Sequence, residues 1–178
     1  MSDMQPKPES KKYADLISEI QKGIIKIPKF QRDFVWSIEK TAQLLDSLLK
    51  GYPIGTFILW QTDERINDIK NIGNLEIPDT PEGTKVQYVL DGQQRITSLY
   101  AAFLGAKIQK SGEKKVTDYA QIFVDLDKDI NENSEQVVTS ERPDKNYISL
   151  SDVLNFMNKM TEIKDNYLIL SHDSSPWT

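Results

Sequence analysis

The chain predicts a mixed helix-and-strand domain, α/β or α+β. Three observations carry that expectation. Apolar residues recur at helical spacing in the segments 13–22, 38–49 and 93–104. Strand-length apolar runs stand at 56–60, 86–90 and 121–126. Gly and Pro punctuate the junctions between them, and no internal repeat or low-complexity tract appears.

Taken in order, residues 1–12 are polar, carry two prolines, and are expected to be disordered. Tyr13 to Lys22 sets Leu16, Ile17 and Ile20 on one helical face, with Gly23 as the stop. Ile24 to Pro28 is a short β-like run that ends in a turn or loop. Ser37 reads as a helix N-cap, with Glu39 favourable in the first turn. Ile38, Ala42, Leu45 and Leu49 form the stripe of that helix, which Gly51 and Pro53 end. Thr56 to Trp60 is continuously apolar and is expected to be a strand buried on both faces.

Residues 61–84 are polar and read as an excursion or long hairpin. Val86 to Leu90 is the next strand. A helix from Gln93 to Leu104 follows, with Ile96, Leu99 and Phe103 inward and Gly105 as cap. Gln121 to Leu126 is a further strand, and 127–146 an acidic loop or flap. Ser149 or Ser151 is placed to cap a helix carrying Val153, Leu154, Phe156 and Met157. Tyr167 to Leu170 reads as an element without a packing partner, and the chain as the N-terminal part of a longer protein.

Composition excludes several chemistries. The 178 residues suit one domain with a core. With no cysteine there is no disulfide, thiol nucleophile or zinc–thiolate site. The one histidine, His172, sits in a polar tail and cannot alone build a His-Asn-His nuclease centre. The first residues hold no apolar signal core, and no apolar run approaches the roughly 20 residues of a membrane span. The expectation is a cytoplasmic protein with no membrane partner.

Net charge is −5, which weighs against a non-specific DNA clamp. Residues 1–60 carry +2 and the remainder −7. Lys22, Lys26, Lys29 and Arg32 could form a local anion site, or simply a solvated face.

The chemistry concentrates in Asp91-Gly92-Gln93-Gln94-Arg95, where a strand turns at once into a helix. A helix start has unpaired N–H groups and partial positive charge, so it attracts anions. Arg95 adds a planar fork suited to phosphate. Asp91 could hold Mg²⁺ or orient a water. The hydroxyls of Thr97 and Ser98 could reach a phosphate or metal, or only satisfy nearby backbone. Arg95 could instead form a structural ion pair with Asp33 or Asp125. A second Gln-Arg pair, Gln31-Arg32, stands in Ile27–Trp36, where Phe30, Phe34 and Trp36 read as core rather than as base-stacking platforms. Asp91, Asp125 and Asp127 have nothing in the sequence to bring them together. Neither phosphate-binding glycine motif is present.

Three ordered blocks resemble the N-terminal domain of GmrSD-type modification-dependent restriction enzymes. They are Ile27–Trp36, Leu44–Gly55 and Leu90–Leu99, within a resemblance spanning 13–126. It implies an α+β, ParB/sulfiredoxin-like fold, with a small mixed sheet and packed helices over 13–126, and an acidic extension over 127–178. It further implies that Asp91 to Arg95 is a nucleotide-binding and hydrolysis signature, closed on its other side by Phe30 to Arg32.

The expected ligand is a nucleoside triphosphate with Mg²⁺ or another divalent cation. Its phosphates would lie over the helix start at Gly92 and Gln93, met by Arg95 and Arg32. Asp91 would hold metal or water, and Gln94 or Gln31 would orient the water. Expected partners are DNA through the full-length protein and a C-terminal His-Asn-His nuclease domain in cis or trans; a homodimer is left open. The competing expectations are a DNA-sensing module without turnover and a ParB-like nuclease.

Overall fold

A computed structural model describes residues 7–110, 112–129, 134–141 and 146–153 of the chain. The helices form where apolar spacing puts them. Helix α1 (Tyr13–Gln21) buries Leu16, Ile17 and Ile20, and strand β1 (Ile25–Lys26) follows. Helix α2 (Ile38–Leu49) begins at its cap, where the Ser37 hydroxyl accepts the Lys40 N–H at 3.2 Å. Ala42 and Leu45 are buried, and Ile38 and Leu49 pack against the core edge.

Strand β2 (Ile58–Thr62) leads to the 61–84 excursion, which contains the hairpin β3 (Asn71–Ile72) and β4 (Leu75–Glu76). Strand β5 (Val86–Asp91) runs into helix α3 (Gln93–Leu104). Beyond it come a hairpin the sequence did not suggest, β6 (Lys107–Gln109) with β7 (Val116–Asp118), and a 3-10 turn, Tyr119–Gln121. Strands β8 (Ile122–Asp125), β9 (Val137–Thr139) and β10 (Tyr147–Ser149) complete the described elements.

Strand β5 is the middle of a three-stranded mixed sheet, with β1 parallel on one side and β2 antiparallel on the other. Strand β8 is the middle of a second, antiparallel sheet between β9 and β10. Separate small sheets with packed helices make this an α+β fold.

Helix α3 is the hub. Every residue from Gln93 to Phe103 except Arg95 is buried, because α1, α2 and the 3-10 turn all pack on it. A helix covered on every side is apolar or small all round, not along one stripe. The expected inward set Ile96, Leu99 and Phe103 is therefore part of a larger buried surface.

Several expectations are corrected. Strand β2 starts two residues later and is not buried on both faces: Ile58 is 54% and Trp60 39% exposed. It is the edge of its sheet, and nothing among the described residues covers its outer face at those positions. The acidic 127–146 segment is not all loop, since β9 pairs with β8. The core does not end at 126, for Val137 and Leu150 join the same buried cluster. Lys26 is not solvated; it is 2% exposed and lies 3.0 Å from Asp68. A helix does open at Leu150. Residues 1–6, the expected helix positions Leu154, Phe156 and Met157, Tyr167–Leu170 and His172 lie outside the described residues.

Asp46 on α2 explains why the acidic segment returns. Its carboxylate accepts the N–H groups of Gln136 at 2.7 Å and Val137 at 3.1 Å, and pairs with Lys50 at 2.6 Å. Burial pushes this carboxyl up, but the Lys50 ammonium and the two amides outweigh that and hold it below its ordinary value. A carboxyl held low in the fold stabilises it above the unfolded pKa, and the contribution is lost as pH falls through the folded value. Asp46→Asn is expected to cost about 1–3 kcal/mol at neutral pH in urea unfolding. The gap to wild type should close in acid, below roughly pH 4.

Candidate functional site

Strand β5 ends at Asp91 and α3 begins at Gln93, so Gly92 must make the corner alone. It does so with φ 88° and ψ 12°, a left-handed conformation that suits glycine. A Cβ there would also stand 2.6 Å from the Phe57 ring. Gly92 has no side chain to cap the helix, which leaves its first-turn N–H groups without that partner.

The 31–36 segment is in neither helix nor strand, so its backbone groups need other partners. Glutamine amides provide them. The Gln94 Nε2 donates to the Asp33 carbonyl at 2.9 Å, and its Oε1 accepts the N–H groups of Val35 at 2.9 Å and Trp36 at 3.3 Å. The Gln93 Nε2 donates to the Arg32 carbonyl at 2.8 Å. From the loop side, the Gln31 Nε2 donates to the carbonyls of Leu90 at 3.1 Å and Val89 at 3.3 Å. Tyr119 supports the far end, its hydroxyl donating to the Trp36 carbonyl at 3.2 Å. Burial pushes that phenol up to about 12, so it stays a neutral donor at physiological pH.

The clasp leaves a cleft of about 180 Å³ between loop and corner, lined by Gln31, Arg32, Trp36 and residues 91–95. Arg95 enters it from a built seat. It donates to the Ile54 carbonyl at 2.7 Å, lies 3.3 Å from the Asp91 carboxylate, and sits 5.2 Å over the Phe57 ring. Asp91 is exposed. Arg32 is also exposed and makes no ion pair among the described residues.

Asp91, Gly92, Gln93, Gln94, Arg95, Gln31 and Arg32 thus line one cleft. Their tasks divide differently. The Gln94 amide is spent on the loop at both ends and cannot orient a water without releasing it. Gln93 likewise anchors Arg32 through its amide. Thr97 and Ser98 do not reach the cleft: they are 2% and 0% exposed, and the Ser98 hydroxyl lies 3.1 Å from that of Thr41. As the fifth and sixth residues of this buried helix, they point into protein. Arg95 pairs with its neighbour Asp91, not with Asp33 or Asp125. Phe30 is not core but 71% exposed.

Asp91, Asp125 and Asp127 do not form a metal cluster. No group of three acidic, His or Cys side chains able to hold a metal occurs among the described residues. Sequence reasoning missed the Ile54 carbonyl and Phe57 as the Arg95 seat, and Tyr119 as the loop buttress. The Leu44–Gly55 block was the available signal for the first of these.

Residues 13–176 match the N-terminal domain of the GmrSD restriction endonucleases. The chain belongs to that family. An uncharacterised protein of Methanocaldococcus jannaschii is 31% identical over 136 residues, which are 74% of this chain and 23% of that protein. The match therefore spans less than a quarter of the archaeal relative. No helix among the described residues is long and apolar enough to cross a membrane.

Gln94→Ala would strand one carbonyl and two N–H groups of the loop. It is expected to cost about 2 kcal/mol or more in stability. It should also open Arg32 to trypsin well before global unfolding, as followed by timed proteolysis.

Proposed function

We propose that this GmrSD-family domain binds a nucleoside triphosphate at the corner, hydrolyses it, and so regulates a nuclease carried elsewhere in the full-length restriction protein. The observation that carries this is the convergence of Arg32, Arg95 and an uncapped helix start on one cleft beside an exposed acid. Two guanidinium forks and a helix start together favour a polyanion. At about 180 Å³ the cleft suits phosphate groups, with the nucleoside outside them and Trp36 as one wall.

The Ile54 carbonyl and Phe57 hold Arg95 in place whether or not a ligand is bound. Asp91 is its exchangeable partner. A phosphate oxygen that takes over the Arg95 fork frees the Asp91 carboxylate to position the attacking water or to ligate Mg²⁺. One carboxylate suits Mg²⁺ when phosphate oxygens and waters complete the shell, which is its usual state on a nucleotide. When bound, Mg²⁺ would neutralise charge developing between the outer phosphates. The Gln31 Oε1 accepts no bond from the described residues, so Gln31 rather than Gln94 is the group left to orient the water.

The family's restriction-endonuclease description supports DNA as the substrate of the whole protein. A His-Asn-His centre would have to lie outside this chain, whose single histidine is His172.

Calorimetric titration with each triphosphate and Mg²⁺ tests binding, and phosphate release tests turnover. Arg95→Ala is expected to weaken binding at least about tenfold; unchanged affinity removes Arg95 from the site. Asp91→Asn should keep binding and lose release. Gly55→Ala should mimic Arg95→Ala, because a Cβ at Gly55 (φ 88°) would overlap the guanidinium. Gly51→Ala is the control, since Gly51 also has positive φ but meets nothing within 4 Å.

A further inference from the structure

A second cleft, of about 400 Å³, shares no residue with the first. Lys29, residues 65–68, Lys70, Asp79, Thr80 and Tyr88 form it. Its walls are pinned by backbone. The Lys29 N–H donates to the Asn67 carbonyl at 2.9 Å and the Ile69 N–H to Ile27 at 2.8 Å. The Thr80 hydroxyl donates to the Gly23 carbonyl at 2.5 Å, and the Ile66 N–H donates to the Tyr88 hydroxyl at 2.9 Å.

The charges here do not balance. The lining carboxylates are Asp68 and Asp79. Lys70 takes both, at 3.2 and 2.5 Å, and Lys26 beneath lies 3.0 Å from the first and 4.0 Å from the second. Lys29 has no ion pair among the described residues. Arg65 donates one N–H from each of Nη1 and Nη2 to neutral carbonyls, Asp63 at 3.1 Å and Thr84 at 2.8 Å, which leaves the second N–H of each. Three lining cations thus stand against two lining carboxylates, a surplus of one positive charge, with the buried Lys26 adjacent.

The floor carries a second sign. The Lys26 ammonium is buried and has no hydrogen-bond partner, and the same holds for the Asp68 Oδ2. The two atoms are close but misaligned. A buried ammonium with unused donors is costly unless an acceptor is supplied, and β1, hydrogen-bonded into its sheet, keeps it there.

We propose that this cleft binds a dianionic phosphate group, either free phosphate or the terminal phosphate of a small ester. Lys29 and Arg65 contact the phosphate oxygens, and Lys26 and Lys70 add positive potential from below and beside. The volume falls in the ~300–1,000 Å³ range of small-molecule sites, which leaves room for an ester group against Ile66 and Tyr88. The site stands apart from the corner, and the failure of either leaves the other untouched.

The full chain is titrated at pH 8 with inorganic phosphate, methyl phosphate and dimethyl phosphate, following the amide resonances of Asn67, Lys70 and Thr80. Saturable shifts are expected with the first two, both dianions there, and little response to the monoanionic diester. The double variant Lys29→Ala, Arg65→Ala should weaken phosphate binding about tenfold or more. The charge-preserving pair Lys29→Arg, Arg65→Lys should retain it, and Arg95→Ala should leave it unchanged. No saturable shift overturns the proposal, as does undiminished binding in the double alanine variant. An equal response to dimethyl phosphate overturns it in favour of a site for single charges, such as a nucleic-acid backbone. Loss of the shifts in Arg95→Ala would move the phosphate to the corner and overturn it too.

Discussion

The candidate site depends on one amide. Gln94 lies in the first turn of a helix buried on all sides, and its side chain completes the hydrogen bonding of a segment in neither helix nor strand. A primary amide offers an acceptor and a donor at one end of a short stem, as a peptide group does. It therefore stands in for a missing neighbouring strand. The loop takes its position from the buried helix α3, and Arg32 is carried to the cleft by backbone fixed in this way.

The same device occurs again in the other half of the molecule. Asp46, on α2, accepts two backbone N–H groups at the entry to β9, with Lys50 balancing its charge. In both places a polar side chain on a helix satisfies backbone N–H groups of a neighbouring segment. A charged clasp answers to pH, because protonation removes its acceptor strength. The neutral clasp at the candidate site does not, so that cleft keeps its shape over the pH range in which phosphate ligands change charge.

Burial sorts the Asp-Gly-Gln-Gln-Arg motif into two kinds of work. The glutamines are buried and build architecture. Asp91 and Arg95 remain within reach of solvent at 64% and 20% side-chain exposure and are free to exchange partners. The Arg95 seat combines a fixed carbonyl, a fixed ring and one replaceable carboxylate. Such a seat pre-orders the guanidinium, which lowers the entropy lost when a ligand arrives.

The helices, their caps and stops, and the strand that feeds the corner were legible in the residues, because periodicity, Ser37 and the glycines act locally. So was the pairing of the Gln31-Arg32 and Asp91–Arg95 blocks, through resemblance. What stayed hidden depends on distant neighbours. Exposure of Trp60 and Ile58 follows from β2 being an edge, which a run of apolar letters does not declare. Lys26 looks solvated until Asp68 closes over it. Gln94 reads like a catalytic amide until the Asp33–Trp36 backbone occupies both its ends. Residue types and local spacing determined where the chain turns, where a helix starts, and which groups can meet a phosphate. Only the tertiary structure decided which of those groups were already satisfied, because hydrogen-bond capacity is consumed by contacts across some 60 residues of chain.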